Sequence, residues 1–250
     1  SPLFQFGNYC LENLNFEYGV RADYFEYNDH LNFSPRLSIS YNLNNGINLS
    51  ASAGIFTQEI PENFLIQNDE FKNLKTPISN HLIFGISKML GESTKLSVEA
   101  YYKSYKNFPI DPTQPNMFLF DQSMIDGIFL NHENLVDKGE AFSRGIEIMM
   151  QKKLASDFYG MTSISYSKTR YKDLENTWRD RIYDNVFNFN IEGGYIPNDE
   201  WEFKLRWIYA GGAPYTPFDI AKSTELNRGI WDTENINEKS FNYGNYRPRW

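Results

Sequence analysis

The chain has 250 residues, of which 17% are aromatic (17 Tyr, 20 Phe, 5 Trp) and 22% charged, with a formal net charge of −8 and a mean hydropathy of −0.56. A negative balance without a Lys/Arg cluster excludes a protein that tracks nucleic-acid phosphates. The longest apolar runs, such as Ile148 to Met150, fall far short of the roughly 18 residues of a spanning helix. A surplus of amphipathic rings suits a protein lodged between two membrane–water interfaces, and a spanning strand asks only that every second residue of about ten be apolar.

At the start, Ser1-Pro2-Leu3 shows no basic segment followed by an apolar one, so the chain reads as mature or as an excerpt of a longer one. Cys10, the single cysteine, permits no internal disulfide and no thiolate cage, and reads as a small apolar residue. From there, alternation dominates. Leu14, Phe16, Tyr18, Val20, Ala22 and Tyr24 fall on one face, opposite Asn15, Glu17, Gly19, Arg21 and Asp23. The next runs are Leu37, Ile39, Tyr41 and Leu43, then Ile47, Leu49, Ala51, Ala53 and Ile55, each set against Ser, Asn or Gly. Residues 81–90 continue less regularly, followed by Leu96, Val98, Ala100 and Tyr102. Segments 139–154 and 157–171 fit with exceptions, and Phe187 to Tyr195 and Trp201 to Tyr209 complete about nine strands.

The connections sort into two kinds. Tight polar turns at Asn44-Asn45-Gly46, Gly91-Glu92-Ser93, Ala155-Ser156-Asp157 and Pro197-Asn198-Asp199 alternate with long segments near 58–79, 107–138, 172–184 and from 211 onward. Only the loop around Asn28 to Asn32 is short on the second side. Outer-membrane barrels are built this way, with short periplasmic turns and long extracellular loops. Lys88 and Lys152 interrupt the apolar face within a few residues of a short turn, where an ammonium reaches the headgroups. A soluble sandwich would instead need a second layer over the apolar face.

No catalytic constellation is legible. His30, His81 and His132 stand far apart, and no Ser-centred elbow, metal-binding helix or phosphate loop accompanies them, so neither an enzyme nor a cofactor is expected. Ligand-binding candidates lie in the long loops. Trp178, Arg179 and Arg181 would stack a ring and grip a carboxylate or phosphate. The segment 107–138 offers the hard donors Asp111, Asp121, Asp126, His132 and Glu133, of the kind that hold calcium or iron, at scattered spacing. From these we single out Asp121 and His132 with the three loop residues; a metal stays open. The polar face carries Arg21, Glu99, Glu147, Lys204 and Arg206, as a wet or filled interior requires.

Several segments resemble the later strands of a TonB-dependent receptor barrel. Ser34-Pro35-Arg36-Leu37-Ser38 is similar to the segment re-entering the barrel after an outer loop. Gly139 to Glu147, ending in Gly145-Ile146-Glu147, is similar to a late strand opening. Phe187 to Tyr195, Trp201 to Trp207 and Gly211-Gly212-Ala213-Pro214-Tyr215-Thr216-Pro217-Phe218-Asp219 follow in the matching order. The resemblance implies an all-β, antiparallel transmembrane barrel of 22 strands plugged by an N-terminal domain, of which residues 1–250 supply nine or ten strands. The plug and the final strands would lie outside this chain. It further implies an outer-membrane receptor that imports a scarce solute, such as a siderophore, vitamin or glycan, with the bilayer, a small-molecule ligand and the TonB complex as partners. A plug-free porin or adhesin barrel, and a soluble β-rich binding module, are the alternative readings.

Overall fold

The computed structural model describes residues 3–121, 131–230 and 232. The described residues form one antiparallel sheet of eleven strands. These are β1 (Leu3–Leu11), β2 (Leu14–Phe25), β3 (His30–Asn42), β4 (Ile47–Thr57), β5 (Ile78–Leu90), β6 (Thr94–Ile110), β7 (Val136–Ala155), β8 (Phe158–Lys172), β9 (Trp178–Asp180), β10 (Phe187–Asn198) and β11 (Trp201–Ala210). Each strand from β1 to β8 lies beside its successor, then β10 and β11 follow, with β9 paired to the far end of β8. The meander bears out the nine alternating runs and adds two. In β1 the register shifts between Gln5 and Asn8, which breaks the two-residue period, and β9 has only three residues. β9 and β10 both pair with β8, to Arg170–Lys172 and to Phe158–Tyr166, so they behave as one strand interrupted between Arg181 and Val186. The break puts the β-branched Val186 at φ 61°, a strained setting for such a residue.

At one rim the strands join through two- to four-residue turns, Glu12–Asn13, Leu43–Gly46, Gly91–Ser93, Ser156–Asp157 and Asp199–Glu200. Gly46 and Gly91 take φ of 76° and 77°, and Ser156 and Asp157 are both at positive φ, the geometry that matches the twist of a hairpin. At the other rim lie Glu26–Asp29 and the long connections from β4 to β5, from β6 to β7 and from β8 to β10. The two-sided sorting expected from the sequence is therefore present.

Side chains alternate across the sheet as the period demands. Tyr18, Leu37, Ile39, Tyr41, Leu49, Ile86, Ile146, Ile148, Met150, Phe203 and Leu205 are exposed, Leu205 to 66%. In register between them, facing the other way, stand Ser38, Ser52, Ser40, Ser50, Gly85, Glu99 and Glu147. Nothing among the described residues covers the apolar face, and the buried apolar residues cluster in the long loops and against the ends of β6, β7 and β8 instead. In a water-soluble sandwich that face would itself be the core; here it is the lipid face of a partial barrel. Among the described residues no helix is long and apolar enough to cross a membrane; the strands do the crossing. Lys88 lies opposite Ile47, beside the turn at Gly46. Lys152 donates from Nζ to Ser93 Oγ at 3.3 Å, within the turn between β5 and β6. Positions from Thr233 through the Arg247-Pro248-Arg249-Trp250 ending lie outside the described residues, as does Asp126.

The inside–outside assignment predicts opposite outcomes for one substitution. Leu205→Arg in the intact protein places a guanidinium against acyl chains, costing about 2–4 kcal/mol near mid-bilayer, and should deplete heat-modifiable barrel in outer-membrane fractions. Ser52→Arg, on the opposite face, should leave barrel yield within twofold of wild type; equal loss from both would refute the assignment.

Candidate functional site

Two strands carry the outer loops well clear of the rim. β6 has 17 residues and β7 has 20, where about ten suffice to span. Segment 58–77 and the described parts of the β6–β7 connection, 111–121 and 131–135, pack together at this overhang. Pro61 leads a single helical turn, Glu62–Leu65, and Asn68 opens a tighter one, Asp69–Asn73, by accepting the Glu70 amide at 3.0 Å. These turns deliver Ile60, Phe64, Leu65, Phe71 and Leu74 into one apolar cluster with Leu119 and Leu135. A second cluster joins Phe118 to Ala141 and Tyr171, with Tyr105, Phe108 and Phe120 packed on it. The Tyr171 hydroxyl donates to the Asn116 carbonyl at 2.7 Å, tying loop to wall.

Charged pairs lock these clusters together, and the residues singled out from sequence are among them. Arg181 donates from Nε to both oxygens of Asp121 at 3.1 Å, while its guanidinium lies 4.9 Å above the Phe118 ring. Asp121 is 3% exposed, so this two-pronged contact joins segments sixty residues apart in a place sheltered from water. His132, buried, contacts Asp111 Oδ2 through Nδ1 at 2.6 Å, donates its amide to Gln67 Oε1 at 2.8 Å, and stacks on Phe64. Arg179 contacts the buried Asp173 at 2.7 Å. Trp178 sits edge-on to Phe142, centroids 5.0 Å apart. The structure thus brings Asp121 to Arg181 and His132 to Asp111, and places Arg179 and Trp178 in separate contacts. No three of His, Cys, Asp or Glu converge as metal ligands among the described residues: Asp111 and Asp121, near in sequence, are turned to different partners.

Burial alone would raise the Asp111 carboxyl, but the Thr113 hydroxyl and His132, with the Thr113 amide, outweigh it and hold it below its ordinary value. A polar knot absent from the sequence reading anchors the short β2–β3 turn. Asn28 donates to Glu59 Oε1 at 2.7 Å, Thr76 donates to Glu59 Oε2 at 3.2 Å, and His30 meets Thr76 Oγ1 at 3.1 Å.

On the inner face of β2–β5 lies a recess of about 290 Å³ lined by Arg21, Arg36, Ser52, Phe56, His81 and Ile83, among others. Phe56 is its centre. The Arg36 guanidinium lies 4.5 Å above the ring and the His81 ring is 4.3 Å away. Gly54 makes this possible, because a Cβ there would come within 3.0 Å of the Phe56 ring. One signal in the sequence marked the place: Phe56 shares the parity of Ser50, Ser52 and Gly54, putting a large ring where the pattern demands small polar side chains.

The loop braces yield two expectations. Arg181→Ala strands Asp121 without its partner, a change worth about 3–5 kcal/mol for a buried pair. Hydrogen exchange of 111–121 and 173–186 in the intact protein should accelerate, while the Arg181→Ala/Asp121→Ala double variant should recover part of the protection. Because the folded Asp111 carboxyl is depressed, its contribution is complete above its ordinary value of about 3.9 and is lost as pH falls through the lower folded value. Protection of 111–121 should hold at pH 5 and fall below about pH 4, and Asp111→Asn should flatten that acid limb.

A family model described as TonB dependent receptor-like, beta-barrel, matches residues 3–244. No curated protein matches the chain. The ferripyoverdine receptor of the Pseudomonas aeruginosa outer membrane, solved with ferripyoverdine, aligns over 90% of this chain and 29% of its own, at 12% identity and a TM-score of 0.62. The ferric-catecholate import receptor Fiu of E. coli K12 aligns over 82% and 33%, at 11% and 0.59. The alcaligin receptor FauA of Bordetella pertussis aligns over 82% and 36%, at 16% and 0.57. At such identities the likeness is one of fold, and the chain spans about a third of each receptor's length. Members of this receptor and transporter family are outer-membrane proteins, and the match over nearly all of its length, joined to the lipid-facing meander, makes this chain a member of the TonB-dependent receptor β-barrel family.

Proposed function

We propose that the chain is the wall of an outer-membrane receptor that binds a scarce extracellular solute and imports it with energy from the TonB complex. The observation that supports this best is on the inner face. Glu99 and Glu147 stand directly opposite one another across β6 and β7. Like charges in that position destabilise a sheet, and neither carboxylate forms an ion pair among the described residues. From β2 to β10 their level of the wall otherwise carries uncharged groups, Asn15, Ser40, Ser50, Gly85, Ser165 and Asn188. Two carboxylates on a low, polar floor suit a cation-bearing body seated in the lumen, the place the family gives to its plug domain. On this reading residues 1–250 belong to the barrel domain, the plug and the closing strands come from other segments, and the protein resides in the outer membrane.

The outer body supplies the receptor half of the reading. Trp178, Arg179, Arg181, Asp121 and His132 hold the loops in one arrangement, and we assign them to shaping the mouth through which a ligand reaches the lumen. Solved neighbours carry the names ferripyoverdine receptor, ferric-catecholate import receptor and siderophore receptor, so ferric siderophores are the first class to test.

A strain lacking the intact gene should grow poorly on an iron-chelated medium and lose uptake of radioiron offered as catecholate or hydroxamate complexes. Restoring the gene with Glu99→Gln and Glu147→Gln should return barrel to the membrane at wild-type amount but lower TonB-dependent uptake about tenfold. Uptake that persists without TonB would replace this reading with a plug-free porin, and no uptake of any ferric complex would move the search to vitamins and glycans.

A further inference from the structure

The recess around Phe56 is not used by the reading above, and its charge is unbalanced. Four strands contribute to a single level of the inner wall: Arg36 on β3 faces Gly54 on β4, which faces His81 on β5, which faces Lys103 on β6. Adjacent strands are about 4.8 Å apart, so this is a short row of basic side chains with a gap at Gly54. The Phe56 ring fills the gap, held between Arg36 and His81. Ser79 Oγ fixes the His81 ring through Nε2 at 2.7 Å, and Lys103 rests 5.1 Å over Tyr101.

Of the nearby carboxylates, Asp23 is held by Arg21 at 2.8 Å, and Glu17, the one carboxylate lining the recess, has a partner of its own. Neither Arg36 nor Lys103 forms an ion pair among the described residues. A guanidinium over a ring face leaves its N–H groups for an acceptor, and their fork grips a carboxylate with two parallel hydrogen bonds. The ring beneath offers an apolar face for whatever carries the carboxylate.

We infer that this recess is a carboxylate-binding site on the lumen wall, taking a group in which a carboxylate is joined to a flat or apolar body, with Arg36 on the carboxylate, Phe56 beneath the body, His81 packed against the ring, and Lys103 strengthening the positive field. It rests on the receptor reading in one respect: the occupant is either the solute in passage or a side chain of a segment lodged in the lumen. The chemistry is the same for both.

The test uses the intact protein in detergent micelles at 150 mM salt, with 4-fluorobenzoate as the probe and fluorine NMR as the readout. If the site serves a free solute, the probe binds saturably, Arg36→Gln/Lys103→Gln weakens it at least tenfold, and Lys204→Gln, a lumen-facing change elsewhere on the wall, leaves it within twofold. If a carboxylate of the polypeptide already occupies the recess, the probe does not bind, and the double variant lowers the melting temperature by several degrees while Lys204→Gln does not. Probe binding that is indifferent to Arg36 and Lys103, or absence of binding together with an unchanged melting temperature, overturns the site. Neither readout needs an energy source, so a protein that binds the probe yet fails the uptake assay counts against the transport reading alone.

Discussion

Everything in this molecule follows from a backbone that must find all its hydrogen-bond partners where no water can supply them. In hydrocarbon an unpaired amide costs several kcal/mol, and a sheet satisfies its amides only sideways, strand to strand. That requirement produces the meander, in which each strand lies beside the next in sequence, with β9 and β10 sharing the edge of β8. It also frees the side chains. With the backbone settled, one parity meets lipid and the other meets the interior, and composition divides between them accordingly.

The same constraint explains why the molecule keeps its conventional core outside the membrane. Apolar burial drives compaction only against water, and the lipid face has none to escape. Ile60, Phe64, Leu65, Phe71 and Leu74 therefore pack with Leu119 and Leu135 among the outer loops, where water returns. There the buried ion pairs also make sense: Asp121 with Arg181 and Asp173 with Arg179 do little for net stability compared with apolar replacements, but they join specific partners and so fix one arrangement of long segments.

Much of the wall was legible in the sequence because a two-residue period survives any uncertainty about where a strand ends. What escaped was local departure from it. β1 carries a register shift at Gln5–Asn8, and β9 is too short to show a period at all. The strand ends also ran further than alternation suggested, β6 to Ile110 and β7 from Val136, because above the bilayer nothing enforces the apolar parity. Among loop residues, the sequence offered Asp121, His132, Trp178, Arg179 and Arg181 as chemically capable, but contacts spanning sixty residues, such as Asp121 with Arg181, depend on how loops stack and leave no trace in spacing. The Phe56 recess was the opposite case, a visible anomaly whose meaning needed the neighbouring strands.

The length of β7 has one more consequence. Twenty residues at about 3.4 Å each, tilted by about 40°, stand roughly 50 Å tall, against an apolar band of about 25 Å. The wall at β7 is therefore also one side of a chimney, rising past the apolar band, and loops are braced directly to its bricks, so a shift of that wall must carry those loops with it.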